Sequence, residues 1–228
     1  MKILYEDNHI IVVEKEPNIP SQGDKTGDID MLSIIKAYLK EKYNKPNNVY
    51  LGLVHRLDRP VGGVMVFAKT SKAASRLSEE VRNKVFEKEY LAVVKGKMES
   101  DKGTYEDYLF KDEKTNTTYV VKPSKKNAKK AILDYELLYY DKENDVSIVK
   151  IILKTGRHHQ IRVQFSSRMH AIYGDTKYHG KSSKIGIHLY AYKLTIVHPT
   201  KKEKMTFMNL PEKKDMWKLL DKVDTKKL

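Results

Sequence analysis

The chain has 228 residues, 40% of them hydrophobic, enough for the core of one large domain or two small ones. Its 44 Lys+Arg against 30 Asp+Glu leave a formal charge of +14, a surplus that favours polyanionic partners, nucleic acid first among them. The absence of cysteine excludes disulfides, thiolate catalysis and the common zinc sites.

In chain order, a strand is expected at Ile3–Tyr5 and a buried one at Ile10–Val13. The N-terminal apolar run is too short and too charged for a signal peptide, so a cytoplasmic protein is expected. Pro17, Pro20, Gly23 and Gly27 mark a loop, and Asp30 is placed to cap a helix that buries Leu32, Ile35 and Leu39 and stops before Pro46. Tyr50–Val54 and Val64–Ala68 read as strands flanking a loop around Asp58. Ser71 caps the next helix, with Ala74, Leu77 and Val81 aligned on one face, and Tyr90–Val94 is a buried strand ending at Gly96.

From Gly103 to Leu153 the pattern alternates with period two. Ala131, Leu133, Tyr135, Leu137 and Tyr139 are predicted to share one face, and Ile148, Lys150 and Ile152 follow the same rule. Lys122–Lys130 is a basic loop or hairpin. Gly156 breaks the strand before a helix over His158–Arg168. Ile187–Val197 and Met205–Met208 are strands, and Pro211 opens a closing helix. No segment reaches the roughly 18–20 apolar residues of a membrane span. The result is an α+β fold: a single catalytic domain over residues 1–228, with a central mixed, largely antiparallel sheet flanked by helices.

Two segments carry the chemistry. His55-Arg56-Leu57-Asp58-Arg59 sets one carboxylate between arginines, and Thr155-Gly156-Arg157-His158-His159-Gln160-Ile161-Arg162 is a distant arginine-rich turn. An aspartate has an ordinary pKa of about 3.9, and neighbouring arginines favour its charged form. Asp58 is therefore a poor general acid at neutral pH but a suitable nucleophile or weak base, and carboxylates do act as nucleophiles at sugar carbons. Glycoside hydrolysis normally requires a second carboxylate; the second segment supplies arginines instead, which points to a nucleotide held by its phosphates. No phosphate-binding GxxxxGK[ST] loop, HExxH or GxSxG is present. The adjacent His158 and His159 cannot share a helix face, so no metal site is expected.

His55-Arg56-Leu57-Asp58, followed by Gly-Val-Met-Val-Phe-Ala-Lys, resembles the active-site segment of RNA pseudouridine synthases of the RluA family. The Thr155–Arg162 turn is similar to that family's later motif, with Gly174-Asp175 and Tyr178 after it. Leu4–Asn8 and Glu89–Gly96 match its opening and middle segments. The resemblance runs from about Tyr5 to Leu210. It implies isomerisation of uridine to pseudouridine in ribosomal or transfer RNA, without cofactor or metal and without a membrane, by a protein expected to be a monomer. It also implies that Asp58 is the catalytic carboxylate, that Tyr90 lies against the uracil as a candidate proton acceptor, and that Arg162 pairs with the aspartate. Arg56 fills the space left by the flipped base, and Arg157, Arg59 and His55 belong to the RNA-binding set.

Two departures stand out. Lys15-Glu16-Pro17-Asn18 replaces the usual Lys-Pro-x-Gly, and Arg59-Pro60-Val61-Gly62-Gly63 stands where many members have Asp-x-Thr-Ser-Gly. No S4-like module is expected before Tyr5. A second reading, a catalytically idle RNA-binding or ribosome-assembly protein on the same fold, shares the basic surface but gives the Asp58, Tyr90, Arg162 set nothing to do.

Overall fold

Eleven strands and three α-helices alternate in the α+β manner expected from the sequence, in a computed structural model that describes residues 1–228. They are β1 (Ile3–Glu6), β2 (Ile10–Lys15), α1 (Met31–Lys42), β3 (Gly52–Leu53), β4 (Gly62–Ala68) and α2 (Ser71–Arg82). Next come β5 (Glu87–Lys95), β6 (Lys102–Asp112), β7 (Thr117–Val121), β8 (Lys129–Asp141) and β9 (Val146–Leu153). Last are α3 (Gln160–Ser166), β10 (Leu189–Val197) and β11 (Lys204–Met208). Contacts divide the chain into two compact units, Met1–Lys88 with Ala191–Leu210, and Glu89–Tyr190 with Pro211–Leu228.

In the first unit the strand order is β1-β2-β4-β10, with β3 also on β4 and β11 on β10. The β1–β2, β2–β4 and β10–β11 ladders are antiparallel. Ile10, Val12, Val64, Val66 and Ala68 meet Ala73 and Leu77 of α2 in one cluster, together with Phe86, Leu194, Ile196 and Phe207. The opposite parity, Ile11, Val13, Met65 and Phe67, is equally buried, so both faces are covered and the strands read as unbroken apolar runs. α1 starts where expected: Asp30 accepts from the Ser33 N–H, and Met31, Ile35 and Leu39 are buried. It ends ahead of Asn44, whose φ of 46° is the left-handed turn that commonly stops a helix. Thr70, not Ser71, caps α2, because its hydroxyl accepts from the Ala73 N–H. The strand expected over Tyr50–Val54 shrinks to Gly52–Leu53.

In the second unit the order is β5-β9-β8-β6-β7, antiparallel throughout. α3 lies on one face of this sheet, where Val163 packs with Leu109, Ala131 and Tyr178, and Phe165 packs edge-on to Tyr105 and Tyr135. The register of β8 against β9 shifts between Leu137 and Tyr139. An extra residue at this bulge moves the buried position from Leu137 to Leu138, and in β9 the fully buried hydrophobic residues are Ile148, Val149 and Ile151 rather than an Ile148, Lys150, Ile152 alternation. The closing helix is a 3-10 segment at Asp215–Lys222, four residues beyond Pro211, and it buries Trp217 and Leu220. No helix is long and apolar enough to cross a membrane.

Candidate active site

Between β3 and β4, burial alternates along residues 55–58. His55 and Leu57 are buried, Arg56 is exposed, and Asp58 is half-buried. The backbone of this segment is fixed from below. Ser21 Oγ donates to the Leu57 carbonyl at 2.9 Å and accepts from the Leu57 N–H at 3.2 Å. The Val61 N–H closes a turn onto the Asp58 carbonyl at 2.9 Å, and the Asn18 N–H reaches the Arg59 carbonyl at 2.8 Å.

Lys15, at the end of β2, is fully buried, and its ammonium donates to three main-chain carbonyls: Val61 at 2.7 Å, Arg59 at 3.0 Å and Glu16 at 3.1 Å. Burial pushes its pKa down to about 7, against the negative charge of Asp58, which favours the ammonium. Downstream of the turn, β4 must pass β10 closely: Gly63 has φ 136°, and a Cβ there would lie 2.3 Å from the Ala191 carbonyl oxygen. That explains the glycine where the resemblance also expects one. Asn18, which stands in place of the family's glycine, has φ 70°, a left-handed position that asparagine tolerates better than other residues.

Arg59 does not project freely. Its guanidinium donates to Asp28 and to Thr26 Oγ1, with Asp24 at 3.8 Å, so two carboxylates from the 24–28 loop neutralise it. His55 is also an interior residue. Its Nε2 accepts from the Val66 N–H at 3.1 Å, its ring packs on Phe86 with centroids 4.9 Å apart, and burial lowers its pKa to about 3. Since Nε2 accepts, Nδ1 carries the proton, and it has no hydrogen-bond partner. The RNA-binding role expected of His55 does not suit a buried ring, because a phosphate contact needs an accessible cation.

In the second unit, Tyr90 is buried on β5, opposite Ile151 of β9. Arg162 leaves the first turn of α3 and is 5% exposed. It makes a two-pronged bond to Asp175, Nε to Oδ2 and Nη2 to Oδ1, both 2.7 Å, and lies 5.0 Å above the ring of Tyr178. Gly174, just before Asp175, has φ 85°, and a Cβ on it would collide with the Gly186 carbonyl at 1.8 Å.

The turn before α3 owes its shape to Gln160. Its Oε1 accepts from the Thr155 hydroxyl at 2.8 Å and the Arg157 N–H at 3.0 Å, and its amide donates to the Ile132 carbonyl at 3.1 Å. Arg157 itself donates through Nε to the Lys130 carbonyl, leaving the rest of its exposed guanidinium to solvent. His159 occupies a left-handed residue (φ 49°) ahead of α3, so the helix starts at Gln160 and not at His158. Off the helix, the two imidazoles stack with centroids 3.7 Å apart and planes 26° from parallel. The Tyr178 hydroxyl accepts from the Thr118 N–H at 2.9 Å and is hydrogen-bonded to His159 Nδ1 at 2.7 Å. Burial, then the Arg162 charge, lowers His159 to about 2; burial, then Lys111 and Arg162, lowers His158 to about 4, so both rings are neutral at pH 7.

Lys15, Ser21 and Gln160 are supporting residues that sequence reasoning passed over. Lys15 alone left a signal, a lysine closing the otherwise apolar Ile10–Val13 strand. No group of three His, Asp or Glu side chains is placed to hold a metal ion.

The model of the RNA pseudouridylate synthase family matches residues 9–167. The chain is 33% identical over 224 residues to the RNA pseudouridine synthase YjbO of Bacillus subtilis, covering 96% of this chain and 75% of the relative. It is 32% identical over 220 residues to an RNA pseudouridine synthase of Aquifex aeolicus, covering 91% and 68%. Ribosomal large subunit pseudouridine synthase D of Borreliella burgdorferi is 33% identical over 200 residues, with 85% and 60% covered. The chain thus spans about two thirds of the length of several curated relatives, 65% and 68% in two cases. Among solved structures, human RNA pseudouridylate synthase domain containing 4 has the same fold, with a TM-score of 0.75 at 23% identity over 92% of this chain and 89% of that one. With the family model spanning the Asp58 loop and the Arg162 helix alike, the chain belongs to the RNA pseudouridylate synthase family.

Proposed function

We propose that this protein isomerises uridine to pseudouridine in ribosomal or transfer RNA, with Asp58 as the catalytic carboxylate. The observation that carries this reading is the build of the Asp58 loop. A buried lysine and a buried serine hold its main chain, while Arg56 on it is exposed and Asp58 half-buried. A loop meant only as a surface turn has no need of a buried ammonium bonded to two of its carbonyls, Arg59 and Val61. On this reading Asp58 either bonds C1′ as the C1′–N1 bond breaks and is released when C5 bonds C1′, or removes the C2′ proton as that bond breaks and returns it afterwards; the uracil turns in between, and N1 gains a proton as C5 loses one. Tyr90 lies against the uracil and accepts the C5 proton. Arg162, bonded to Asp175 and lying over Tyr178, is assigned, as the family resemblance implies, the positive charge that favours the ionised form of Asp58.

The test is Asp58→Asn in purified protein, with pseudouridine mapped in total RNA from cells with and without the gene. The amide keeps the shape of the carboxylate without its charge, so product formation should vanish while RNA affinity stays within about twofold. Substantial residual turnover removes Asp58 from the central role. A wild-type protein that leaves every uridine unchanged, while binding RNA, leaves the idle RNA-binding reading in its place.

A further inference from the structure

The second unit has a stretch whose charge is not absorbed by the site above. Residues 114–133 contain six lysines and neither Asp nor Glu. Elsewhere lysines are commonly matched, as Lys42 and Lys69 are with Glu6, Lys150 with Glu136 and Lys204 with Glu87. Here Lys130 reaches Glu106, whereas Lys122, Lys125, Lys126 and Lys129 are exposed and carry no ion pair. They are presented by a folded loop. The Lys125 N–H bonds to the Lys122 carbonyl and the Ala128 N–H to the Lys125 carbonyl, both at 3.0 Å, with Asn127 in a left-handed turn at φ 65°.

That loop borders an aromatic surface. Leu109 faces α3, so its neighbours on β6, Tyr108 and Phe110, face the opposite, open side of the sheet. Tyr119 of β7 stands directly across from Phe110 in the ladder and is 48% exposed. Lys125 Nζ lies over the Phe110 ring, 5.1 Å from its centre. β7 ends the strand order of this unit, so the surface has no further strand beside it. A large exposed ring costs hydration unless something covers it, and unpaired lysines around it select what that is. An apolar protein partner would bury these ammonium groups without compensation. A strand of nucleic acid offers phosphates to the lysines and a flat face to the ring, the combination that single-strand-binding surfaces share.

We infer that the open face of β6 and β7 with the 122–129 loop is a docking platform for single-stranded RNA flanking the target, with a base stacked on Tyr119 and phosphates on Lys122, Lys125, Lys126 and Lys129. The inference rests on RNA being the substrate and extends that reading to a place remote in sequence from Asp58 and Arg162.

Binding is measured on the full chain with a short uridine-containing oligomer and with a single strand of roughly 15–20 nucleotides carrying the same target. Replacing Lys122, Lys125, Lys126 and Lys129 together by alanine should lower the slope of log affinity against log salt by about 2–3 for the long strand, four lost phosphate contacts at about 0.7 each. Tyr119→Ser should weaken the long strand roughly 5–150-fold with the salt slope unchanged, and Tyr119→Phe should keep the affinity. Neither variant should change binding or modification of the short oligomer. Both side-chain types are exposed, so circular dichroism should show the wild-type fold. Equal losses on both RNAs, an unchanged salt slope in the lysine variant, or Tyr119→Phe behaving as Tyr119→Ser would overturn the platform. A wild-type protein that shows these binding differences but makes no pseudouridine removes the catalytic reading and leaves the platform standing.

Discussion

Lys15 Nζ donates to the Val61 carbonyl at 2.7 Å, so a cation buried at the end of one strand holds the start of the next at the hinge of the Asp58 loop. The same ammonium bonds the Arg59 carbonyl, one residue beyond the acid. Lys15→Met removes three charge-assisted bonds and leaves their acceptors without a donor. It should cost about 3 kcal/mol in urea unfolding and reduce turnover more than RNA affinity. A variant as stable as the wild type would mean the carbonyls find other donors.

Stability should fall on mild acidification. His55, His158 and His159 are held at about 3, 4 and 2 in the folded chain, against an ordinary value near 6.5. The unfolded chain takes up protons near pH 6.5 that the folded chain refuses. Their contribution is therefore complete above about pH 6.5 and declines below it, by about 1.4 kcal/mol per pH unit for each histidine. Urea midpoints from about pH 7.5 to about pH 5 should show that slope, and His158→Gln should flatten it by one histidine's share. A profile flat over this range would show that the folded rings accept protons.

Arg162 and Asp175 form a buried, two-pronged pair. Asp175→Asn replaces the two-pronged carboxylate partner of this buried guanidinium by a neutral amide and should cost about 3–5 kcal/mol. The double variant Arg162→Met/Asp175→Leu removes both charges and should recover much of that stability while remaining inactive. Activity returning with stability would show that the pair serves folding alone.

Two backbone positions should respond in opposite ways. Asn18→Gly should be nearly neutral, and Asn18→Val should cost about 1–2 kcal/mol, since a branched side chain opposes a φ of 70°. Gly63→Ala should yield little folded protein, because its Cβ would sit 2.3 Å from main-chain oxygen on β10. Soluble expression and thermal unfolding measure both.

Under the proposed function, Arg56 is the exposed neighbour of Asp58 and is available to stack in the gap left by an extruded base, at an extrusion cost of about a few kcal/mol. Arg56→Ala should then slow modification of a structured stem-loop far more than of a short unstructured oligomer. Equal losses on both would make Arg56 a phosphate contact.

Most elements were legible because apolar period and capping chemistry are local. Asp30 ahead of α1 and the β-branched run Ile10–Val13 are examples. The helix before Arg162 was read two residues early because nothing in the sequence announces that His159 turns left-handed. The histidine stack that follows from this turn was invisible for the same reason. The neutralisation of Arg59 is not legible because its acids, Asp24 and Asp28, sit over thirty residues away in sequence. Likewise the three acceptors of Lys15 are main-chain atoms, which no side-chain pattern encodes.

The bulge in β8 gives that strand an unusual tolerance. Leu137 pairs with Val149 and Tyr139 with Ile148, so between Leu133 and Asp141 only Leu138 has no counterpart in the β8–β9 ladder. Chain length can change by one at this point while every pair before and after it keeps its partner. An insertion or deletion anywhere else in β8 would instead slide all following residues onto new partners and turn buried side chains outward. Within the thirteen residues of β8, relatives that differ by a single residue should carry the gap at Leu138.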